Sequence, residues 1–374
     1  MALLYRSVVQ RFTPTPEISR VFEVFRAMVN DCLRLGLANK VHSYNDVKHV
    51  CYPAMMQYAV HDGYRISAMF EASNLLKKFR TDSTKKKVSP PRVGRPYFAV
   101  SIAVRVAGDE LRLPQVAPVK LNRHTVSIIE QDGITVVSAT LTPSTISVIY
   151  CKSVVRVVPK GMVAVDLNVD KISTFDTSGI SAAYDIEELT KLHETYRRVK
   201  SKFRRRDFRI KGKLFRKYAA IEWNRKSAII HRVSSQIVNQ ALASRQAIVL
   251  EDLRGLREIY TRESGSSAYY LSKMNAWPFR QILHQIAYKA EWVGLPVVVI
   301  SPEWTSEKCS ECGGSMETPP VEVDSVVCLN CGLVVDRDLN GAKNILKRGA
   351  RSVPAGFANE AMKGGKPSQG EPSA

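Results

Sequence analysis

Residues 161–179 read GMVAVDLNVDKISTFDTSG. Gly161 to Val165 is a short apolar run, the signature of a buried strand, and it leads straight into Asp166. Thr174 to Gly179 is a turn-forming region, so strand, turn and strand in succession predict a hairpin. Downstream, Ile230, Val233, Ile237, Val238 and Ala241 recur at helical spacing and lead into a strand over Ala247–Leu250. Phe279, Ile282, Leu283, Ile286, Ala287 and Ala290 line a second helix that ends near Gly294 and delivers a strand over Val297–Ile300. Strands alternating with helices in this way predict an α/β layer.

The region before that layer has a different pattern. After a short opening strand, Leu3 to Val9, residues 15–80 read as helical: Val21, Phe25, Met28, Cys32 and Leu35 share one face, with Gly36 as a stop, and a second helical stretch covers 51–80. From 97 to 158 the period changes to two, with Ile134 and Val136, a break in alternation at Val137, then Ile146, Val148 and Tyr150, punctuated by Asp132-Gly133 and Pro143. These strands are expected to form a small barrel. The tail after Lys347 is rich in Gly, Pro and Ser and has little apolar surface to bury, which predicts disorder over 348–374.

Charge narrows the function. The 374 residues carry 55 Lys plus Arg against 35 Asp plus Glu, a net charge of +20, which calls for a polyanionic partner. Residues 191–217 hold thirteen of the cations against Glu194 and Asp207, interleaved with Leu192, Tyr196, Val199, Phe203, Phe208 and Phe215 at rough helical spacing. A cationic helix or helical hairpin follows, with Arg197, Arg198, Arg204, Arg205, Arg206 and Arg209 as candidate phosphate contacts. A second basic run, Lys77, Lys78, Arg80, Lys85, Lys86 and Lys87, is broken further on by Pro90, Pro91 and Gly94; it reads either as a solvated linker or as a loop lying on phosphates. No eighteen uncharged apolar residues run together and Met1–Phe12 lacks a signal-peptide core, so a membrane-spanning or secreted role is excluded and a cytoplasmic, nucleoid-associated location is expected.

Four of the seven cysteines fall in two CxxC pairs, Cys309/Cys312 and Cys328/Cys331, with glycine directly after each pair. A two-residue gap lets both thiolates of a knuckle reach one tetrahedral ion, and no histidine lies nearby in sequence, so a closed four-thiolate structural Zn²⁺ site is expected. Cys32, Cys51 and Cys151 stand singly in apolar surroundings and read as buried thiols.

Three acids sit at the ends of core elements: Asp166, Glu251 and Asp338 in the run Asp336-Arg337-Asp338-Leu339-Asn340 before a helix over Gly341–Leu346. Singly, each has an ordinary reading: a turn former, a strand-end acid, a helix N-cap. Together, in a chain short of acids, they match the need of phosphodiester cleavage for carboxylates converging on two divalent ions, and hard Mg²⁺ prefers such oxygen donors.

The run Asp166-Leu167-Asn168-Val169-Asp170-Lys171, the strand end Glu251-Asp252-Leu253, TSEKCSECGG (305–314) and CGLVVDRDLNGAKNIL (331–346) resemble the TnpB family of insertion-sequence proteins, RNA-guided DNA nucleases related to compact type V CRISPR effectors. The resemblance covers about residues 160–347. It implies an α/β fold: an RNase H-like (RuvC) nuclease domain over 159–347 split by a zinc ribbon at 305–335, preceded by a helical plus β-barrel recognition and wedge region over 1–158. It also implies Asp166, Glu251 and Asp338 as catalytic magnesium ligands, two Mg²⁺ per site, one structural Zn²⁺ on Cys309, Cys312, Cys328 and Cys331, and guide RNA and target DNA as partners. Asp338 is chosen over Asp336 because the family's third acid stands two residues before the Asn of its Asp-x-Asn-(Ala/Gly)-Ala string. Asn168 departs from the Gly common there, beside the metals. Two rivals keep the same fold: a nuclease-weak RNA-guided DNA-binding regulator and a guide-free, RuvC-like structure-specific nuclease.

Overall fold

The computed structural model describes residues 2–85, 87–203, 206–254, 268–319 and 324–352. Lys86, Arg204 and Arg205 lie outside the described residues, as does 353–374 of the expected tail. The chain divides into two compact units, Met1–Val154 and Val155–Ala374. Among the described residues no helix is long and apolar enough to cross a membrane.

In the first unit, strand β1 (Ala2–Arg11) precedes three helices, α1 (Pro16–Ala38), α2 (Tyr44–Met55) and α3 (Asp62–Ser83). Thr15 caps α1 by accepting from the Ile18 N–H, and Pro16 stands where a missing N–H costs nothing. The helix buries Phe22, Phe25, Met28, Val29, Cys32 and Leu33, so Val21 and Leu35 flank the core face rather than line it. Gly36 is not the stop: α1 runs on to Ala38, and a Cβ on Gly36 would come within 2.5 Å of Leu76 Cδ1, so the glycine is there for close packing against α3. The single helical stretch expected over 51–80 is two helices interrupted at 56–61, just past Pro53. Because α3 continues to Ser83, Lys77, Lys78 and Arg80 stand on a helix, not a loop; Lys85 and Lys87 follow it, and all five are exposed.

The strands of this unit make a four-stranded antiparallel sheet with β2 (Phe98–Val100), β6 (Ile134–Leu141) and β7 (Thr145–Val154) in the order β1-β7-β6-β2. A separate three-stranded sheet holds β3 (Arg105–Ala107), β4 (Glu110–Arg112) and β5 (Val119–Lys120). In place of one barrel, the described strands pair as these two sheets, with β1 and β2 at the edges of the larger. The break in alternation at Val137 is a β-bulge, since the β6–β7 register shifts between Val136 and Ser138. A short helix α4 (Arg123–Ile129), capped by Asn122, has no counterpart in the periodicity reading.

The second unit is built on β8 (Gly161–Leu167), β9 (Lys171–Asp176), β10 (Ser181–Asp185), β11 (Gln246–Glu251) and β12 (Val297–Ile300), ordered β10-β9-β8-β11-β12. β8, β9 and β10 form an antiparallel meander, while β11 runs parallel to β8 and to β12. Thr174 to Asp176 belong to β9, and the turn is tighter than expected: Asp176 Oδ1 accepts from the Ser178 and Ile180 N–H groups at 2.8 and 2.9 Å. All seven β8 residues are buried because both faces of the sheet are covered. Val163, Val165, Ile248 and Leu250 face helices α6 (Arg216–Ala243) and α8 (Phe279–Trp292), which supply Ile230, Val233, Ile237, Phe279, Ile282 and Ile286. The alternate residues Met162, Ala164, Ala247 and Val249 face the last helix, α9 (Arg337–Ser352), through Ile345 and Leu346. Residues 348–352, expected in the disordered tail, complete this helix, and Gly349 lies so close to Val249 that a Cβ would meet it at 2.6 Å.

The basic stretch is a helical hairpin. α5 (Glu187–Ser201) packs on α6, which is entered through a short turn at Phe208–Ile210 and a π-helical turn at Lys211–Phe215; Phe203 packs against Phe215 and Tyr218 at the bend. One further helix, α7 (Ala268–Ala276), precedes α8, and three ribbon strands, β13 (Met316–Glu317), β14 (Ser325–Cys328) and β15 (Val334–Asp336), stand between β12 and α9.

Candidate active site

Strand parity sets the first two acids. Asp166 shares the face of Met162 and Ala164, and Glu251 shares the face of Ala247 and Val249, so both carboxylates project to the α9 side at the carboxyl ends of two adjacent parallel strands. Asp338 enters from the first turn of α9. The approach is close, since a Cβ on Gly341 would lie 3.0 Å from Asp166 Oδ2. Three chain segments distant in sequence thus bring their acids to one side of the sheet, near enough for Glu251 and Asp338 to act on Asp166.

The crowding has an electrostatic signature. Asp166 is 8% exposed and its carboxyl is pushed up to about 7, first by burial and then by the charge of Glu251, with a smaller push from Asp338. Asn168 Nδ2 donates to Asp166 Oδ2 at 3.1 Å and Arg337 also opposes the rise. Burial likewise raises Glu251, against Thr305 Oγ1, which donates to its Oε1 at 2.7 Å, and the charge of Arg348. Buried carboxyl oxygens, of which Asp166 is also raised by its acidic neighbours, are a donor set suited to a hard divalent cation. Asp338, its side chain 14% exposed, is paired with Lys171 Nζ at 2.7 Å.

Asp336 occupies a different role. Its Oδ1 accepts from the Asp338 and Leu339 N–H groups, both at 2.9 Å, so it is the N-cap of α9, whose start lies four residues before the expected Gly341. Asp338 is therefore free of the capping role that its sequence position also permitted.

The four ribbon cysteines come together as one cluster, their sulfurs all within 4.8 Å of one another, and the cluster can hold a metal ion. Cys309 and Cys331 Sγ are 3.8 Å apart, and Cys312 and Cys328 Sγ 3.4 Å. Gly313 and Gly332 have φ of +77° and +73°, the left-handed conformation the knuckles require. Backbone N–H groups of Glu311, Gly314 and Asn330 point at the sulfurs at 3.4 Å. The Gly314 N–H is the main influence drawing Cys312 down to about 6, whereas Cys331, despite the Leu333 N–H, is pushed up to about 12 by its sulfur neighbours. Four thiolates at this spacing do not all ionise without a cation among them.

Three residues given no role in the sequence reading bind these parts together. Fully buried Asn340 accepts from the Ser310 N–H at 2.8 Å and donates to the Lys308 carbonyl at 2.9 Å, tying α9 to the first knuckle. Asn344 donates to the carbonyls of Thr305 and Lys308. Thr305 then passes the connection to Glu251. Thr305, Asn340 and Asn344 all fall inside the motif segments, which was the one available signal.

On the hairpin, Arg197, Arg198, Lys202, Arg206, Arg209, Lys213, Arg216 and Lys217 are exposed. Some of the stretch's cations do find acids: Lys191 pairs with Glu187, Arg209 with Asp207, and Lys200 joins Lys226 and His193 around Glu222. Despite its burial, the Glu222 carboxylate is held at about 2 by these three partners.

Residues 279–345, from α8 through both cysteine pairs and Asp338, match the family described as Cas12f1-like, TNB domain. A TnpB-like protein of Methanocaldococcus jannaschii is 29% identical over 196 residues, covering 50% of this chain and 68% of that protein. The CRISPR-associated endodeoxyribonuclease Cas12f1 of Sulfoacidibacillus thermotolerans is 33% identical over 116 residues, 31% of this chain and 25% of its own. The putative RNA-guided DNA endonuclease InsQ of Escherichia coli K12 is 30% identical over 93 residues, 25% of this chain and 22% of its own. The chain thus spans about a quarter of the length of the latter two. Among solved structures, a Cas12f1–sgRNA–target DNA complex superposes with a TM-score of 0.56 at 13% identity, covering 88% of this chain and 83% of that one, a likeness of fold. The resemblance to TnpB proteins read from the motifs extends well beyond them.

Proposed function

We propose that the protein is an RNA-guided, Mg²⁺-dependent DNA endonuclease of a mobile genetic element, cutting beside a short flanking motif. The observation that carries this reading is the convergence of Asp166, Glu251 and Asp338 on one side of the sheet, with Asp166 pushed up to about 7 by burial and by its acidic neighbours. The meander of β8, β9 and β10 continued by parallel β11 and β12 supports an RNase H-like (RuvC) layer, interrupted between β12 and α9 by the ribbon. The relatives named as RNA-guided endonucleases support guide RNA and target DNA as partners. On this reading 1–158 is the recognition and wedge region, and the protein works in the cytoplasm, at the nucleoid.

Asp166, Glu251 and Asp338 would hold two divalent cations, which would supply Lewis-acid activation of the attacking water and the leaving oxygen. The chain's own part is positional. Thr305 fixes the rotamer of Glu251, Asn168 holds Asp166, and Lys171 keeps Asp338 turned toward β9. The cysteine cluster takes a structural Zn²⁺: an ion about 2.3 Å from each of four tetrahedral sulfurs requires them about 3.8 Å apart, close to the distances seen. Cations of the hairpin and of α3 hold the guide–target duplex by its backbone while base pairing supplies specificity.

The test is substitution of the acids. Asp166→Asn, Glu251→Gln and Asp338→Asn should each lower Mg²⁺-dependent cleavage by ~10²–10³-fold or more while leaving nucleic-acid affinity within a few-fold. Asp336→Ala should keep cleavage and lose only the cap, about 1 kcal/mol of helix stability. Cleavage surviving in Asp338→Asn but lost in Asp336→Ala would exchange their roles.

A further inference from the structure

Trp304 stands one residue before the threonine that holds Glu251, and it is out of place by every ordinary criterion. The residue is 57% exposed and its φ is +61°, the left-handed region that bulky residues avoid. The other non-glycine residues with positive φ among those described are Lys40, Ala103, Gln115 and Arg245, none of them aromatic. Lys308 stands over the ring, its Nζ 5.9 Å from the centroid. An exposed cation–π contact offsets roughly half of the cost of a left-handed residue, so this pair does not account for the conformation.

The ring forms one wall of a cleft of about 310 Å³ between the first cysteine knuckle and the exposed side of α9. Lys308, Lys347, Arg348 and Arg351 line it against a single acid, Glu311. Lys347 and Arg348 are anchored through the carbonyls of Ser310 and Ser301, which fixes the cleft's shape. Trp304 directly precedes Thr305, which donates to Glu251, so this wall of the cleft is one residue along the chain from a hydrogen-bond partner of that carboxylate. A flat aromatic face with cations around it matches one ligand chemistry: a base stacked on the ring and its flanking phosphates on the lysines and arginines.

We infer that Trp304 is a stacking platform for one unpaired nucleotide next to the cleavage site, with Lys308 and Arg351 on its phosphates. The inference rests on the nuclease reading only for what the strand is doing there. The strained backbone aims the ring into the cleft at the expense of stability, a trade seen where strain serves a site. The side chain is then dispensable for folding. Trp304→Gly should raise the melting temperature by about 2–4 °C, because glycine accepts this backbone without strain.

The decisive experiment reads the site itself, since the many other cations bind any strand. A ~12-nucleotide oligomer bearing 5-iododeoxyuridine, and its RNA counterpart, would be irradiated on the full-length protein without added Mg²⁺ and the cross-linked peptides mapped. The cross-link should fall on Trp304, persist in Trp304→Phe, and drop about 5- to 150-fold in Trp304→Gly, the loss expected for one stacked base. The two oligomers show whether DNA or RNA supplies the base; a cross-link from either at Trp304 carries the inference. Cross-links that avoid Trp304 with both, or an unchanged yield in the warmer-melting Trp304→Gly protein, would overturn it. Because the cross-link does not depend on cleavage, a protein that cross-links at Trp304 but cuts no DNA in Mg²⁺ discards the nuclease reading alone, and an active nuclease without the cross-link discards this inference alone.

Discussion

Asp166 concentrates the tension of the site in one carboxyl. Its folded value of about 7 lies above the ordinary 3.8, because burial and the charges of Glu251 and Asp338 outweigh the help of Asn168 and Arg337. The folded chain therefore binds a proton that the unfolded chain has released between those two values, and the stability this group contributes at acid pH is lost as pH rises from about 4 to about 7. Without divalent cations, Asp166→Asn should thus be the more stable protein at pH 8 by on the order of 1–4 kcal/mol, with the gap closing toward pH 4. Added Mg²⁺ should stabilise the wild type and leave the Asn variant nearly unmoved. Thermal unfolding in EDTA and in Mg²⁺ at both pH values checks this; an Asn variant that melts lower at pH 8 in EDTA would mean that the carboxylate is already compensated within the chain.

At the scale of elements, α9 is the piece on which the site depends. It covers one face of the sheet through Ile345 and Leu346, brings Asp338 in at its start, and is fastened to the first knuckle by Asn340 and Asn344. On the proposed reading, loss of a zinc held by the cysteine cluster should therefore reach the carboxylates. Cys309→Ser should lower zinc from about one per chain, destabilise the C-terminal unit, and weaken Mg²⁺-dependent cleavage although no acid has changed; full zinc content or full activity in that variant would break the link. Much of this scaffold was legible beforehand, because β8, β11 and β12 are short apolar runs between turns and α6 and α8 repeat apolar residues at helical spacing. The helix boundaries were less so. The start of α9 depends on a cap by Asp336 in a sequence with two plausible acids, and Gly36 looked like a stop because packing against Leu76 leaves no local trace. The partners that shape the site were out of reach for the same reason: Lys171 meets Asp338, and Thr305 meets Glu251, across long separations in the chain that no local pattern encodes.

Over the whole molecule, the charge of +20 is spread unevenly, with the exposed cations of the α5–α6 hairpin its densest part. Replacing Arg206, Arg209 and Lys213 together by Ala should reduce the log–log slope of affinity against salt by up to about 2–3, at ~0.7–0.9 per phosphate contact, with little effect on melting temperature because all three are exposed. A slope unchanged within error would place the phosphates on another surface. The central claim is that an RNA, not the protein surface, chooses where the carboxylates cut. It is tested most directly by incubating the purified protein with Mg²⁺ and a target DNA before RNase treatment, after it, and after re-addition of a guide with an altered targeting segment. The account predicts that cutting disappears with the RNA and returns at the site specified by the new guide. Undiminished cutting after RNase, at positions indifferent to the guide supplied, would contradict it.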